Sequence, residues 1–472
     1  MPYARARQPL AASVAVRTLP RAPEPVRAFR AFVNDPYPFF LDSGQRGPEW
    51  GEFSYIGSQP FLILTVKGRA ISETHCHPVP HASKSAGNAF RALGRMLARY
   101  RLQGEWPVPF PTGAVGYFGY DLCHHVERLP ACAADDIQFP DLHFAFYDHL
   151  VVFDHVRDCC LLVASDWDDS RGSAEARLDA LEEKVLSATP PAGRIAAGPI
   201  SANFTKDGYL AAVRRAKEYI AAGDIFQVNL SQRFHARFEG RACDLYQRLR
   251  QINPAPFAAY LGLDGERAVV CASPELFLRV RGRRVLTRPI KGTRRRAQDP
   301  LTDARLRAEL LASEKDAAEL AMIVDLERND LGRVCEYGSV QVSQPRVLES
   351  FPTVHHLVAT VEGRLHPRYD LMDLLRATFP GGSITGAPKI RAMEIIDELE
   401  PTRRSVYTGA LGFIGFNGSL DLNIVIRTIL VRGQDIFFQA GGGIVADSDP
   451  EAEYEETLDK ARALIAAVSG TA

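Results

Sequence analysis

Cysteine is scarce in this chain. Its eight cysteines among 472 residues lack the regular spacing that marks a disulfide framework. Two short runs, His75-Cys76-His77 and Cys123-His124-His125, contain metal-ligating residue types, but neither has a second ligand pair at zinc-finger spacing. We therefore expect reduced thiols, a cytoplasmic location, and ordinary loop or strand positions for both runs.

A surplus of charge of one sign is also lacking, and so is any long apolar run. The 56 basic and 57 acidic side chains exclude the strong basic bias of a chain that binds nucleic acid. No apolar run approaches the roughly 20 residues that a membrane-spanning helix needs. The first 27 residues contain five arginines and one acidic residue. This composition fits a transit peptide, but we favour a short unstructured extension before the first strand.

The remaining composition is that of a globular protein, with 46% hydrophobic and 24% charged residues. Short β-rich runs alternate with turns from residue 14 to about 165, and a helix is predicted at 89–100. Residues 189–193, Thr-Pro-Pro-Ala-Gly, form the most linker-like segment. We place a soft boundary there and expect an N-terminal region at 1–190 and a second region at 200–472.

Predicted strands in the second region follow one another in adjacent pairs, without the crossover helix that a parallel sheet needs. They cover 226–234, 267–279, 406–416, 420–431 and 435–440. Helices are predicted at 206–222, at 303–326 with a break near Ala312-Ser313, at 371–378, at 388–399 and at 450–468. This pattern predicts an α+β fold with antiparallel sheets flanked by helices.

Two pairs of acidic residues have helical spacing. Asp316 and Glu319 lie three residues apart, as do Glu453 and Glu456, so each pair projects from one helix face. Mg²⁺ prefers such oxygen ligands and keeps several waters. The alternative is structural, because acidic residues are favoured in the first turn of a helix, where they oppose its dipole.

A glycine run and a lysine are the other candidates. Gly441–Gly443 follow a predicted strand, which indicates close approach of a ligand to bare backbone rather than dinucleotide binding. Lys291 stands in Pro-Ile-Lys-Gly-Thr, and a lysine amine is a nucleophile only when it is deprotonated. The arginines at 294–296 could lower its pKa. Taken alone, however, a surface lysine in a basic turn is the simpler interpretation.

Taken together, these features resemble one family. The sequence is similar to the chorismate-utilising enzymes, and within them most closely to the aminodeoxychorismate synthase component I branch. The resemblance is dense from residue 205 to the C-terminus. It rests on the motifs at 223–228 (GDIFQV), 273–275 (SPE), 289–293 (PIKGT), 323–330 (IVDLERND), 386–394 (GAPKIRAME), 426–428 (IRT) and 443–448 (GIVADS).

The resemblance implies two large antiparallel sheets packed as a sandwich and surrounded by helices. The N-terminal region matches more thinly, through Phe40–Ser43 and Phe53–Gly57. In the family this region helps to form a pocket that holds tryptophan in some members, and Ser43 would belong to that pocket.

Two positions separate the activities of the family. Members that add water to chorismate usually have a base, Lys, where this chain has Gln227, and Gln cannot deprotonate water. Members resembling anthranilate synthase have Ala where Lys291 stands. The resemblance therefore implies a transferase in which Lys291 attacks C2 of chorismate and ammonia then adds at C4, giving 4-amino-4-deoxychorismate for 4-aminobenzoate and folate synthesis.

The resemblance also implies roles for the other site residues. Glu275 would be the general acid and His356 would lie near the leaving hydroxyl, while Thr293 would lie beside the ring carboxylate. Substrate carboxylates would be held by Tyr407, Arg427, Lys460 and the backbone of Gly441, Gly442 and Gly443. Glu319 and Glu456 would bind Mg²⁺ directly, and Asp316 and Glu453 directly or through water. Two residues depart from the family pattern, Leu276 and Glu327.

Nothing in the sequence resembles a glutaminase, because none of the eight cysteines has the Gly-flanked nucleophile setting. We therefore expect a separate glutamine amidotransferase subunit to supply ammonia, and neither nucleic acid nor a membrane as a partner. Two alternatives stay open: anthranilate synthase component I of tryptophan biosynthesis, and a non-catalytic subunit that senses an amino acid.

Overall fold

The computed structural model describes residues 12–45, 50–76, 80–167, 172–187, 193–351 and 354–470. The expected unstructured extension does not include residues 12–27, because Ala12–Leu19 already form a strand and a helix begins at Pro25, while residues 1–11 lie outside the described residues. The same holds for His77 and for most of the predicted linker at 189–193. All eight cysteines are described and have free thiols, as predicted.

Strands contain more residues than helices do in the described part of the chain. In the described residues they are β1 (Ala12–Leu19), β2 (Phe39–Asp42), β3 (Phe53–Gly57), β4 (Leu62–Lys67), β5 (Ala70–His75), β6 (His81–Ala86), β7 (Gly113–Phe118), β8 (Leu142–Tyr147), β9 (His149–Asp154), β10 (Cys159–Trp167), β11 (Ala196–Ala197), β12 (Ser201–Ala202), β13 (Gln227–Glu239), β14 (Phe257–Gly262), β15 (Arg267–Ser273), β16 (Leu276–Arg281), β17 (Arg284–Arg288), β18 (Ile290–Arg295), β19 (Gln341–Ser350), β20 (Val354–Arg364), β21 (Gly386–Ala387), β22 (Ala410–Gly415), β23 (Leu420–Ile424), β24 (Thr428–Arg432) and β25 (Asp435–Ile444).

Helices surround the strands. They are α1 (Pro25–Phe29), α2 (Ala89–Arg99), α3 (Ala174–Leu186), α4 (Lys206–Ala221), α5 (Ala242–Ile252), α6 (Pro300–Ala312), α7 (Glu314–Gly332), α8 (Leu371–Thr378), α9 (Lys389–Leu399) and α10 (Pro450–Ser469), with 3₁₀ turns at Tyr120–His125 and Gly382–Ile384. Within the described residues, no helix is long and apolar enough to cross a membrane.

The strands form two large antiparallel sheets, which confirms the predicted fold class. One sheet has the order β1-β10-β9-β3-β2-β14-β15-β24-β25-β13-β11, with β12 and β21 also paired to β13. The other has the order β18-β20-β17-β16-β23-β22-β7-β8-β4-β5-β6, with β19 paired to β20. Each sheet contains strands from both sides of the predicted boundary, since β2 pairs with β14 and β7 pairs with β22.

A core of apolar side chains from both sheets fills the space between them. It includes Phe39 and Val269 from the first sheet and Ile63, Val115 and Leu411 from the second, all nearly inaccessible to solvent. Burial on one face by the opposite sheet and on the other by helices explains why strands such as β8 and β22 are buried at every position.

Two predicted strands are wrong in one respect, because each is divided between the sheets. The strand predicted at 267–279 is β15 in the first sheet and β16 in the second, and Pro274 interrupts it where the chain crosses over. The strand predicted at 420–431 is likewise divided into β23 and β24 at Arg427, which has a φ of 52°. The two crossovers lie side by side, since Ser273 Oγ donates to Ile424 O at 2.6 Å.

Three further boundaries differ from the prediction or sharpen it. The break near Ala312-Ser313 is confirmed, and Ser313 caps α7 by accepting a hydrogen bond from Asp316 N. The strand predicted at 406–416 begins only at Ala410, because Ser405 and Thr408 have left-handed backbone conformations. The glycine run Gly441–Gly443 continues β25 instead of following it, and pairs with β13.

Candidate active site

Lys291 lies on β18, which pairs with β20 at the edge of the second sheet. The register shifts between Lys291 and Thr293, at Gly292, whose φ is 73°. A Cβ at Gly292 would lie 3.0 Å from the Asp316 side chain, so only glycine fits both the conformation and the space. This register shift changes the direction of the neighbouring side chains, as β-bulges often do beside active sites.

The Lys291 amine is enclosed by other candidate residues. Burial lowers its pKa, and the charge of Lys460 lowers it further, while Glu319, Glu275 and Glu456 raise it. Its Nζ lies 3.4 Å from the position that a Cβ on Gly443 would occupy. The predicted role of the arginines at 294–296 is wrong. Arg294 pairs with Glu309 and Asp316, Arg296 pairs with Asp303, and Arg295 is exposed, so burial and Lys460 depress the pKa instead.

Glu275 lies where the chain passes from β15 to β16, between the two sheets. Its side chain is 4% exposed, and burial raises the pKa of its carboxyl to about 7. The Ser383 hydroxyl, the Ile290 N–H and the nearby Lys291 charge partly offset this shift by stabilising the anion. A carboxyl with a pKa near neutrality can donate a proton and later accept one.

His356 and Thr293 are paired across β18 and β20. Thr293 Oγ1 and His356 Nδ1 lie 2.9 Å apart. His356 is 5% exposed, and burial, with the charge of Arg427, lowers the pKa of the imidazole to about 3. The ring is therefore neutral at physiological pH, and it offers one donor and one acceptor rather than a positive charge.

The glycine run forms a bare stretch of backbone against which other side chains lie. Lys460 Nζ donates to Gly441 O at 2.8 Å. A Cβ on Gly442 would lie 3.1 Å from Glu453 Oε2 and 3.2 Å from Glu456 Oε1, and one on Gly443 would lie 2.0 Å from Gln227 Nε2. Side chains at these positions would occupy the space that Gln227 and the acids now fill.

A guanidinium lies nearby in the crossover between β23 and β24, and a phenol lies in the turn that precedes β22. Arg427 is held in its left-handed conformation at this crossover and donates to Lys460 O. Burial lowers the pKa of its guanidinium, whereas the proximity of Tyr407 and Glu456 raises it. Tyr407 is buried, and its pKa is raised mainly by that burial. The guanidinium and phenol suit recognition of a carboxylate.

The four predicted metal-binding acids lie in the first two turns of α7 and α10. Burial raises the pKa of Glu319, and Lys291 is the cation that offsets this shift most. Glu456 has a lowered pKa, because Lys460 Nζ lies 2.6 Å from its Oε1. Glu453 accepts from Ser448 Oγ at 2.6 Å, and Asp316 pairs with Arg294 Nη2 at 3.1 Å.

The spacing of these acids limits the kind of metal ion that they can bind. In the part of the chain that is described, no group of three or more His, Cys, Asp or Glu side chains forms a metal-binding cluster. The charges of Glu319 and Glu456 do interact with each other and with Lys291. A cation that takes only one or two carboxylates and completes its shell with water and substrate oxygens fits this donor set.

Ser43 lies elsewhere, in a cavity of about 230 Å³ between the sheets. Its hydroxyl donates to Phe53 O at 2.6 Å. Tyr55, Arg279 and Asp421 also line this cavity, and none of the other predicted site residues does. The structure thus brings Lys291, Glu275, the acids, the glycine run and the carboxylate-binding candidates into one site and leaves Ser43 apart.

Two side chains of the site were not predicted. Ser383, in the 3₁₀ turn at Gly382–Ile384, lies close enough to Glu275 to lower the pKa of its carboxyl, and its buried hydroxyl has no hydrogen-bond partner among the described residues. The positive charge of Lys315 on α7 acts on Glu319, Glu453 and Glu456. A glycine-rich turn signals close packing but not which residue it will face, and a lysine one residue before Asp316 looks like ordinary helix surface.

Comparison with known proteins identifies the family. A profile described as chorismate binding enzyme matches residues 78–466. Aminodeoxychorismate synthase component 1 of Bacillus subtilis is 41% identical over 420 residues, which cover 88% of this chain and 88% of that protein. The chain belongs to the chorismate binding enzyme family.

Other chorismate binding enzymes of different named activity are equally similar. Anthranilate synthase component 1 of Streptomyces coelicolor is 43% identical over 459 residues, covering 94% of this chain and 86% of that protein. The crystal structure of anthranilate synthase component I from Streptococcus pneumoniae matches with a TM-score of 0.77 at 33% identity, covering 89% of this chain and 92% of that one. Overall identity therefore establishes the family and the fold but does not select between the two activities.

Proposed function

We propose that this chorismate binding enzyme converts chorismate and ammonia to 4-amino-4-deoxychorismate, for 4-aminobenzoate and folate synthesis. The observation that carries the proposal is the amine of Lys291, a partly buried residue at the centre of the site. It has a lowered pKa and lies against Gly443, in the place where relatives of the anthranilate synthase type have Ala. A desolvated amine with a lowered pKa is a competent nucleophile.

The substrate is held through its carboxylates. Lys460 contacts the glycine run, Arg427 contacts Lys460, and Tyr407 lies near Arg427. The bare backbone of the glycine run lets a flat, charged molecule approach closely. Thr293, hydrogen-bonded to His356, lies beside the ring carboxylate in this proposal. The ring is then held with C2 toward Lys291 and C4 toward Glu275.

The reaction replaces the hydroxyl at C4 with an amine and proceeds through a covalent bond between Lys291 and C2. The Lys291 amine forms a bond to C2, the ring double bonds shift, and the C4–O bond breaks as Glu275 gives its proton to the departing hydroxyl, which leaves as water. Ammonia then bonds to C4, the double bonds shift back, and the C2–N bond to Lys291 breaks. Glu275, now ionised, accepts the proton that ammonia loses.

We further propose Mg²⁺ as the cofactor, with Glu319 and Glu456 as direct ligands and Asp316 and Glu453 binding directly or through water. When bound, this ion neutralises the ring carboxylate and fixes its orientation. Lys460, which now pairs with Glu456, is then free to contact the substrate. The oxygen-only donor set and its proximity to Lys291 support this assignment.

Gln227 favours amination over hydration. Its Nε2 lies against Gly443, and its buried Oε1 has no hydrogen-bond partner among the described residues. An amide cannot deprotonate water, but its oxygen can accept an N–H from ammonia.

The relatives named component 1 suggest a partner subunit, and we propose that a glutamine amidotransferase supplies this ammonia.

The experiment is a product assay with purified protein, chorismate, Mg²⁺ and ammonium salt, with and without an added glutaminase subunit. The proposal expects 4-amino-4-deoxychorismate and a strong loss of product with Lys291→Ala. Appreciable anthranilate from the wild type would overturn it in favour of anthranilate synthase. No turnover in any mixture, together with tight binding of tryptophan, would favour the amino-acid-sensing alternative.

A further inference from the structure

A small cavity lies beside the 3₁₀ turn at Tyr120–His125. Its volume is about 20 Å³, which is enough for one particle the size of a water molecule. The other walls come from the loop that contains Pro130 and Ala133 and from the end of α9, with Glu400 directly after that helix. None of the residues proposed for the reaction lines this cavity, and neither does Ser43.

Two buried oxygen atoms at this cavity have no hydrogen-bond partner among the described residues. They are Asp121 Oδ2 and the hydroxyl oxygen of Tyr120. Both residues line the cavity, and they are 5% and 6% exposed. Because a carboxylate oxygen without a partner is costly to bury, these two atoms indicate a ligand that binds to oxygen.

The side chains that line the cavity include more acids than bases. There are three acids, Asp121, Asp397 and Glu400, and two arginines, Arg403 and Arg404. Arg404 Nη2 pairs with Glu400 Oε1 at 2.7 Å, and Asp397 accepts hydrogen bonds from two backbone N–H groups. Arg403 donates to a backbone carbonyl and acts on Asp121 only through its charge. Asp121 therefore has no ion-pair partner among the described residues, and the lining is one positive charge short.

Nearby groups outside this set do not supply the missing charge. The charge of Lys67 acts on Asp121, but its Nζ lies 2.6 Å from Asp135 Oδ2 and 2.9 Å from Asp141 Oδ1, so it already faces two acids. His124, which also lines the cavity, has a pKa that is lowered by burial and is therefore neutral. Burial and the charge of Asp141 raise the pKa of the Asp121 carboxyl, as expected for an acid without a cationic partner.

We propose that this cavity binds one monovalent cation about the size of a water molecule, potassium or ammonium, between the Asp121 carboxylate and the Tyr120 hydroxyl oxygen. Such an ion supplies the single missing positive charge and takes oxygen ligands, as buried charges in proteins require. A divalent ion would add one charge too many, and an anion would be repelled by the acids. A water molecule alone would leave the carboxylate unbalanced, so Asp121 would then have to hold a proton.

The first test is the Tm in potassium, ammonium and choline chloride at equal pH and ionic strength. Choline has the same charge but is too large for the cavity. The proposal expects the wild-type Tm to be about 1–3 °C higher in potassium or ammonium chloride than in choline chloride and to saturate with concentration. The preferred salt identifies the ion. Equal Tm values in all three salts would overturn the proposal and favour a protonated Asp121.

Two variants locate the effect. Asp121→Asn keeps the shape of the side chain but removes its charge, so its Tm should not depend on which cation is present. Asp325→Asn removes an exposed charge on α7, is the matched control and should keep the wild-type difference. A cation effect that persists in Asp121→Asn would place the ion elsewhere and overturn the proposal.

A second measurement needs only the wild type. Crystals soaked in thallium(I), which has the charge of potassium and a similar size, should show an anomalous peak in contact with Asp121 and Tyr120. Thallium peaks at other positions only, or no peak, would contradict the assignment. Neither measurement depends on turnover, whereas failure of the proposed function would appear as a wrong or missing product.

Discussion

The substitution Gly443→Ala should lower the activity of the site strongly while changing the stability of the fold only slightly. Gly443 lies inside β25 and is not among the glycines with a left-handed backbone, so alanine fits its conformation. Its Cβ would, however, lie 2.0 Å from Gln227 Nε2 and 3.4 Å from Lys291 Nζ. The closer of these atoms is the end of a flexible side chain, which can move without shifting the backbone.

The expected effects of Gly443→Ala on folding free energy and on turnover differ in size. Turning Gln227 away from its present rotamer costs about 1 kcal/mol of folding free energy. Displacing groups beside the nucleophile by about 1 Å lowers turnover by about 10²-fold. We expect Gly443→Ala to fold almost normally and to lose about 10²-fold in kcat/KM. Urea denaturation and the chorismate assay measure the two effects.

Gly441→Ala is the matched control two residues away. Its Cβ would lie 2.5 Å from Leu230 O, a backbone atom of the adjoining strand, so the strands themselves must move. We expect a loss of about 1–3 kcal/mol in unfolding free energy. If Gly443→Ala were as unstable as Gly441→Ala, or if it kept full activity, then the reasoning about close approach at Gly443 would be refuted.

Three further predictions concern the surroundings of the site. Ser405→Gly should raise the unfolding free energy by about 1 kcal/mol in urea denaturation, because Ser405 has a φ of 54°, a conformation that glycine adopts without strain; a lower stability would contradict this. Arg404→Met should lower stability by about 3–5 kcal/mol, because it leaves the buried Glu400 carboxylate without its ion-pair partner; a change below 1 kcal/mol would show that this pair contributes little. The kcat/KM of wild type should fall as pH rises through about 7, since Glu275, with a pKa raised to about 7 by burial, must be protonated to act as the acid; Glu275→Gln should remove this dependence along with most of the activity, and a flat profile in wild type would exclude Glu275 as the titrating acid.

Much of the fold could be predicted from local pattern. The apolar runs and turns located most strands, and Ser313 after Ala312 marked the break between α6 and α7, because serine is a strong N-cap. The crossovers at Pro274 and Arg427 could not be predicted, because a strand that changes sheet has the same local preferences as one that continues. Only the pairing with distant strands decides where it goes.

Local pattern likewise predicted part of the candidate site, while the rest depends on the tertiary fold. Periodicity placed Asp316 with Glu319 and Glu453 with Glu456 on common helix faces, and the structure brings Glu319 and Glu456 to Lys291. The cation that depresses the pKa of Lys291 is Lys460, which is 169 residues away in the chain, and not a neighbouring arginine. Electrostatic partners that come from a different helix follow from the tertiary fold alone, as does the burial that raises the pKa of Glu275.

The central claim is that Lys291 bonds to C2 of chorismate, and intact-mass spectrometry after incubation with chorismate and Mg²⁺ without ammonia tests it most directly. Without ammonia the second half of the exchange cannot occur, so the adduct should accumulate. The account predicts an added mass of chorismate less one water, located at Lys291 by peptide mapping and absent from Lys291→Ala. An unmodified protein under conditions in which chorismate is bound, or an adduct on another residue, would contradict it.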